Sequence, residues 1–428
     1  MKEYKNITNT IIGVNIASLV LFLFPPVIKE STNRILVVIY LLISIFLMTK
    51  GFQAGINKAK HKNRIIEWHP TNGLLTFLLF FYVLTSPFRY GYLMGLPPFD
   101  FQGMISRTMI GIAEPALGYQ LSLQEGISPV PWSVFFLISI INDFFFIIFF
   151  CSWKRLSSFK KIVVSLYVTL ELLFWLGRGT NFGIITMITN ALIAYFIVNY
   201  QKPQEERKRL LGGRTVKQRV VLIVAFSISI FVFSYLMIAR TGEGDTDQSL
   251  RNVERTQQID YDGFIVRSLP DNWIAPYYFV YSYTCQGYDN LGKAMNCDYH
   301  WTRFFGNNPR LMSLSTLLLH YNPFNDSYMT ELERDYRVDA LASWHSAYLW
   351  WANDFTIPGV LVIVYFIALL CGYAIVFAIH NNDFLSQIMA VSLSNILIFM
   401  FANNTYLTLM FYSFMFVFPY WLWTRVIK

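Results

Sequence analysis

Four clusters in this chain carry residue types that can do chemistry. The first is Gly177-Arg178-Gly179-Thr180-Asn181, at the end of an apolar run. A guanidinium at that boundary reads as a snorkelling side chain in a tight turn. It reads equally as a cationic site for a lipid phosphate, with the glycines permitting close backbone approach. The second is Trp344-His345-Ser346-Ala347-Tyr348-Leu349-Trp350-Trp351. A Trp/Tyr belt at a membrane surface explains the aromatics but leaves His345 unexplained. Its imidazole would be a general base able to deprotonate a hydroxyl near neutral pH.

The third cluster is a set of arginines. Arg89 lies inside an apolar run, where a charge is expensive and marks a functional candidate. Arg240, Arg251, Arg255, Arg267, Arg303, Arg310, Arg334 and Arg337 are spread over a polar segment. Most of these fit solvated or carboxylate-paired roles, and one or two could grip a pyrophosphate bidentately. The fourth cluster is Asp143 and Glu171, two acids in apolar runs. They could pair with each other or with Arg178, or mark a proton path. Common soluble signatures are missing. There is no phosphate-cradling glycine loop followed by Lys-Ser/Thr, no His-Glu-x-x-His and no Gly-x-Ser-x-Gly. No metal and no cofactor are expected.

The elements that position these residues follow from composition. Of 428 residues, 55% are apolar and 14% charged, against about 25% charged in a soluble domain. The expected fold is an all-α polytopic membrane protein with about ten transmembrane helices and a large, partly helical extracytoplasmic loop. The apolar runs lie near 8–28, 34–49, 73–95, 132–152, 161–177, 181–200, 220–239, 357–380, 385–402 and 405–424. The first ends in Pro25-Pro26 without a small-residue cleavage site, so it is expected to be retained. This divides the chain into helices 1–7 within 1–239, a loop domain over 240–356, and helices 8–10 within 357–428. A second outer loop, near 96–131, contains an amphipathic stretch expected to lie along the membrane surface.

Charge sets the expected orientation. The net charge of +8 sits in short loops near 50–64, 153–161 and 201–219, all on one side in this count. That side, with both termini, is expected to be cytoplasmic. The charge is thus a topology signal, and nucleic acid is not an expected partner. The 240–356 segment holds 15 of the 26 acidic residues and 9 basic ones, so it falls outside as a long loop that crosses regardless of charge. It is dense in Tyr, Trp and Phe. Cys285 and Cys297 lie twelve positions apart in it, and a disulfide is expected if it faces an oxidising compartment.

The layout and three local patterns resemble the O-antigen polymerase (Wzy) family of oligosaccharide repeat-unit polymerases. The patterns are Gly177-Arg178-Gly179-Thr180 entering a helix, the aromatic stretch from Tyr277 to Asn290-Leu291, and His345-Ser346 followed by Gly359. The last is also similar to the His-Asn/Ser motif of the related O-antigen ligases, although their glycine follows more closely. An Arg-x10-Gly pattern, reported for some polymerases, occurs at Arg107 to Gly118 and is expected about once by chance. The resemblance implies a lipid-dependent, metal-independent glycosyltransferase of the bacterial inner membrane, with its large loop in the periplasm. Its substrates would be undecaprenyl-pyrophosphate-linked oligosaccharides, and a chain-length regulator is a candidate partner beside membrane lipids. His345 and Arg178 would be catalytic. Arg178, Arg89, Arg267 and Arg303 would bind pyrophosphate, and Tyr278, Tyr281, Trp344 and Tyr348 would stack on sugars. The alternatives are a ligase-type transferase passing the glycan to another acceptor, and a flippase or transporter for lipid-linked sugar, which Asp143 and Glu171 would favour.

Overall fold

The computed structural model describes residues 2–28, 32–61, 67–122, 129–201, 233–239, 245–255, 257–340, 343–402 and 405–428. Among these the chain is helical, with one isolated antiparallel bridge between Val27 and Ile259 and no strand. The helices are α1 (Lys2–Leu23), α2 (Arg34–His61), α3 (Asn72–Met94), α4 (Phe101–Ala113), α5 (Pro115–Ser122), α6 (Trp132–Asn142), α7 (Phe145–Ser152), α8 (Ser158–Gly177) and α9 (Phe182–Tyr200). After these come α10 (Thr246–Glu254), α11 (Asp271–Ala294), α12 (Pro309–Leu319), α13 (Tyr328–Tyr336) and α14 (Ala347–Phe355). The last four are α15 (Ile357–His380), α16 (Phe384–Ile398), α17 (Thr405–Leu409) and α18 (Phe411–Trp421).

Among the described residues six helical segments are long and apolar enough to cross a membrane: Asn6–Leu23, Arg34–His61, Asn72–Met94, Trp132–Arg155, Phe182–Tyr200 and Ile357–His380. The chain is therefore a polytopic helical membrane protein. The sequence pattern predicts ten spans, and three of the other four differ for identifiable reasons. The fifth run forms α8, but Lys160, Lys161 and Glu171 break its apolarity. The ninth forms α16, whose 15 residues rise roughly 22 Å, short of a hydrocarbon core of about 30 Å. The tenth is divided between α17, α18 and a terminal π-helical turn, Leu422–Ile427. The seventh run, near 220–239, lies largely outside the described residues, as do the basic stretch 202–219 and Arg240.

The chain divides into two compact units that cut across the sequence-based boundaries at 239 and 356. Unit 1 comprises 1–64, 253–376 and 392–411. Unit 2 comprises 65–252, 377–391 and 412–428. In unit 1 most of the polar segment is not a separate domain. Its central helix, α11, lies against α1 and α2. The Ser18 and Tyr288 hydroxyls are 2.8 Å apart, and Asn33 Nδ2 donates to the Gly292 carbonyl at 3.0 Å. Tyr277 donates to the Phe24 carbonyl.

Helices α2 and α15 meet through a small-residue motif. A Cβ on Gly51 or Gly55 would collide with the carbonyl oxygen of Tyr365 or Leu369, and one on Gly372 would stand 2.7 Å from the Phe52 carbonyl. Close backbone approach of this kind replaces the hydrophobic driving force that lipid removes.

Unit 2 places α3, α6, α7, α8 and α9 together, with Leu75, Leu79, Tyr82, Phe145, Phe149, Leu156 and Val164 in one core. The Trp132–Arg155 span is interrupted at Asp143-Phe144, between α6 and α7. There Ser413 Oγ lies 3.0 Å from the Ser139 carbonyl and 2.7 Å from that of Ile140. The Ser139 carbonyl keeps its helical bond from Asp143 N at 3.1 Å, so the hydroxyl's contribution is to satisfy the Ile140 carbonyl that the break leaves without a helical partner. A Gly55→Leu variant is expected to lose most of its folded fraction in fluorescence-detected size exclusion. Gly13→Ala, where a Cβ meets nothing within 4 Å, should leave it unchanged.

Candidate functional site

The candidate residues fall in both units, and each unit presents its own group. In unit 2 the Arg178 turn is shaped by glycines. The backbone of Gly179 has φ 60°, a left-handed conformation that favours glycine. A Cβ on Gly177 would lie 2.6 Å from Thr108 Cα, and one on Gly179 would collide with the Pro115 carbonyl. The neighbours of these glycines are thus α4 and α5, packed directly on the turn. That corrects the expectation that the glycines open the backbone to a ligand. Gly111 and Gly118 complete the contact, since a Cβ on Gly118 would stand 2.6 Å from Gly111 Cα and 2.8 Å from the Gly177 carbonyl.

The Arg178 guanidinium lies over two rings, 5.1 Å from Trp175 and 5.5 Å from Phe174. Arg107 reaches the Met94 carbonyl at 3.1 Å with Nη2. Its pKa is drawn below the usual arginine value by partial burial. The Arg107-to-Gly118 pattern, discounted in the sequence as a chance match, therefore meets the Arg178 turn through Gly118. Sequence reasoning had no signal for this beyond the pattern itself.

Below the turn, Glu171 is buried and pairs with Arg89 by two parallel bonds of 2.8 Å. It also accepts from Tyr90 at 2.8 Å, Trp175 Nε1 at 3.1 Å and Tyr82 at 3.4 Å. Arg89 is thus committed to a carboxylate, which corrects its assignment to pyrophosphate. The pairing also differs from the options the sequence offered, Asp143 or Arg178. Asp143 sits instead at the break between α6 and α7, where Ser413 N approaches its carboxylate at 3.4 Å. Trp175 links the two features, because its Nε1 is held by Glu171 while its ring lies under Arg178.

In unit 1, His345 is 1% exposed. Its Nδ1 lies 3.4 Å from Asn290 Nδ2, which also donates to the Trp344 carbonyl at 2.9 Å. Burial pushes the imidazole pKa down to about 4, against smaller upward pulls from the Ala340 backbone and Asp339. The ring is neutral at pH 7 and covered, so it cannot touch an acceptor hydroxyl in this conformation. The general-base assignment is corrected to that of a residue joining α11 to the start of α14.

Tyr348 and Tyr281 are also buried, at 1% and 4%. Tyr348 shares a 3.0 Å hydrogen bond with Ser44, so neither ring offers a face to a sugar. Trp344 and Tyr278 are half-buried, and Trp344 packs edge-on against Tyr283. The disulfide is corrected as well, because Cys285 and Cys297 are both free. Cys285 lies within α11 and Cys297 just beyond its end, a separation of roughly 18 Å along a helix.

Among the exposed aromatics of unit 1, two lie close together on the turn Trp301–Gly306. Trp301 is 51% and Phe304 55% exposed. Arg303 between them lies 4.7 Å over the Tyr321 ring. Arg303 and Phe304 have φ of 54° and 67°, two consecutive left-handed residues that are not glycine. Such a backbone persists only when its surroundings over-determine it. Here the buried Asn353-Asp354 pair at the end of α14 does so. Asn353 Nδ2 donates to the Gly306 carbonyl at 2.9 Å, and Asn307 Nδ2 to Asp354 Oδ2 at 2.7 Å. Thr302 Oγ1 stands 2.5 Å from Asp354 Oδ1, and Tyr328 N donates to Asn353 Oδ1 at 2.9 Å. The sequence singled out Arg303 but not Asn353 or Asp354. Their only signal was two polar residues at the end of an aromatic helix. Arg267 is exposed on the short turn Val266–Ser268.

Two measurements check these assignments. Arg89→Ala leaves a buried carboxylate uncompensated and is expected to cost about 3–5 kcal/mol of stability, most of it recovered when Glu171→Leu is added. Thermal denaturation of the single and double variants reads this cycle. For His345, the unfolded imidazole binds a proton near pH 6.5 and the folded one only near 4. Stability is therefore full above about pH 6.5 and falls as the pH drops towards 4. His345→Gln should flatten that part of the Tm-versus-pH curve. No protein-family model, no curated protein and no solved structure matches the chain.

Proposed function

We propose that the chain polymerises lipid-linked oligosaccharide repeat units at the outer leaflet of the bacterial inner membrane, with its termini cytoplasmic. The observation that carries this reading is the Trp301–Gly306 turn. It holds two exposed aromatic rings in edge-on contact at 5.3 Å, and the Arg303 guanidinium of the same turn lies over Tyr321, all above a buried, hydrogen-bonded base. Aromatic faces take up the apolar CH faces of sugar rings, and a fixed guanidinium takes up phosphate oxygens. Arg178 in unit 2 is a second guanidinium in a constrained setting.

In the reaction, the bond between the anomeric carbon of the growing chain and the undecaprenyl pyrophosphate oxygen breaks. A bond from that carbon to a hydroxyl of a new lipid-linked unit forms. The lipid pyrophosphate leaves with the bonding electron pair. Its oxygens can take up the hydroxyl proton, so the step asks no base of His345. Guanidinium groups would stabilise the charge that develops on the leaving oxygens. Arg303 and Arg267 of unit 1 are assigned to this role, and Arg178 of unit 2 is a separate candidate for gripping a phosphate. Trp301 and Phe304 take over the sugar-stacking role from Tyr281 and Tyr348.

The flippase alternative loses support, because Glu171 is held by five donor atoms in a fixed pair with Arg89. Deleting the gene in its host is expected to leave lipid A core with a single repeat unit. Core without any glycan would indicate a ligase, and repeat units retained on the cytoplasmic leaflet a flippase. In the complemented strain, Trp301→Ala or Phe304→Ala should cut long-chain product on the order of tenfold at unchanged protein level. Arg178→Ala should abolish it, and full-length polymer from that variant would overturn the pyrophosphate assignment.

A further inference from the structure

Unit 2 contains a cavity of about 290 Å³ that the proposed glycosyl transfer does not use. Its wall combines Lys154 and Arg155, from the turn after α7, with Gln201 after α9. Asn382 and Gln387, at the start of α16, close the other side. Cys151, Val198 and Phe384 supply the apolar part. Among the described residues no carboxylate lines it. The nearest acid in sequence, Asp383, is buried and turned to other work. It accepts from Arg425 Nε and Nη2 at 3.0 Å each and caps α16 through Ser386 N at 3.0 Å. Its charge is offset by that guanidinium. Gln201 donates to the Ala378 carbonyl at 2.7 Å, which pins the end of α9 to α15 and keeps the wall in place.

Two cationic side chains and three amides around a small polar cavity make a site for a compact oxyanion. The volume is at the lower edge of the about 300–1,000 Å³ of ordinary ligand pockets, so it suits a headgroup and not an oligosaccharide. The planar Arg155 fork and the Lys154 point charge are the usual pair for phosphate oxygens. Arg155 also leans on His69, with Nη2 3.0 Å from its Nε2, and Glu67 flanks that ring at 3.2 Å. The positive charge here belongs to the loop near 153–161, which the charge pattern predicts to be cytoplasmic. That is the opposite side from the expected sugar chemistry. We infer that the cavity lined by Lys154, Arg155, Gln201, Asn382 and Gln387 binds a phosphate group, from an anionic lipid headgroup or from a soluble phosphate.

The test uses the purified full-length chain. Thermal unfolding is followed in detergent with rising inorganic phosphate at fixed ionic strength. It is followed again in nanodiscs of phosphatidylglycerol and of phosphatidylcholine. The pocket variant is Lys154→Gln with Arg155→Gln. A control losing the same charge elsewhere is Lys50→Gln with Lys58→Gln. Inorganic phosphate raising the Tm of the wild type and the control, but not of the pocket variant, assigns the site to a soluble phosphate. A gain confined to phosphatidylglycerol nanodiscs and lost in the pocket variant assigns it to a headgroup. An equal response in the pocket variant, or none in either arm, overturns the inference. Cys151 gives an independent readout that needs no pocket variant. The favoured ligand should slow its alkylation in the wild type several-fold, and an unchanged rate counts against the site.

Discussion

A carboxylate among apolar helices is the hardest group in this molecule to accommodate, and Glu171 shows how it is done. Five donor atoms from four residues converge on its two oxygens. Removing a charge from water costs several kcal/mol even after relaxation, so the pair is stable only when nearly every lone pair is used. That demand fixes α3 against α8, because Arg89, Tyr90 and Tyr82 come from one helix and Glu171 and Trp175 from the other. Trp175 then sets the floor on which Arg178 rests. The Arg178 guanidinium is thus positioned, through Trp175, by the carboxylate that Arg89 neutralises.

The same constraint is met twice more with different means. Asp383 is buried against Arg425 and caps α16, so one carboxylate joins a helix start to the terminal π-helical turn. Asp354 is held by a hydroxyl, an amide and a backbone N–H. Its network supports the left-handed pair Arg303-Phe304 and so turns buried polar order into a rigid aromatic surface. In each case the acid organises a neighbouring feature and is itself covered.

Much of this organisation was legible in the sequence, and the failures have a common cause. The helical membrane class followed from the deficit of charge, and Arg178 stood out because of its glycine neighbours. What could not be read was the partner of each group. Arg89 looked like a free cation because Glu171 is 82 positions away. The histidine looked catalytic because its motif sits beside aromatics, whereas packing of α11 on α14 covers it. Tyr281 and Tyr348 were chosen by type, yet on a helix the choice between sugar-facing and core-facing is a matter of rotation that local composition does not settle. Span counting depends on the same context, since α8 has the length but carries Lys160, Lys161 and Glu171, and α16 has the apolarity but only 15 residues.

The exposed side of α4 carries Phe101, Ile105, Met109 and Ile112, at 57%, 64%, 60% and 41% exposure, on the stripe that an interfacial helix presents to acyl chains. Its other side is pressed against Gly177 through Gly111 and Thr108, with no side chain between the backbones. The two segments cannot rise or sink independently. A displacement of α4 is therefore passed on to the Arg178 turn without slack, as a float passes its rise to the line tied to it.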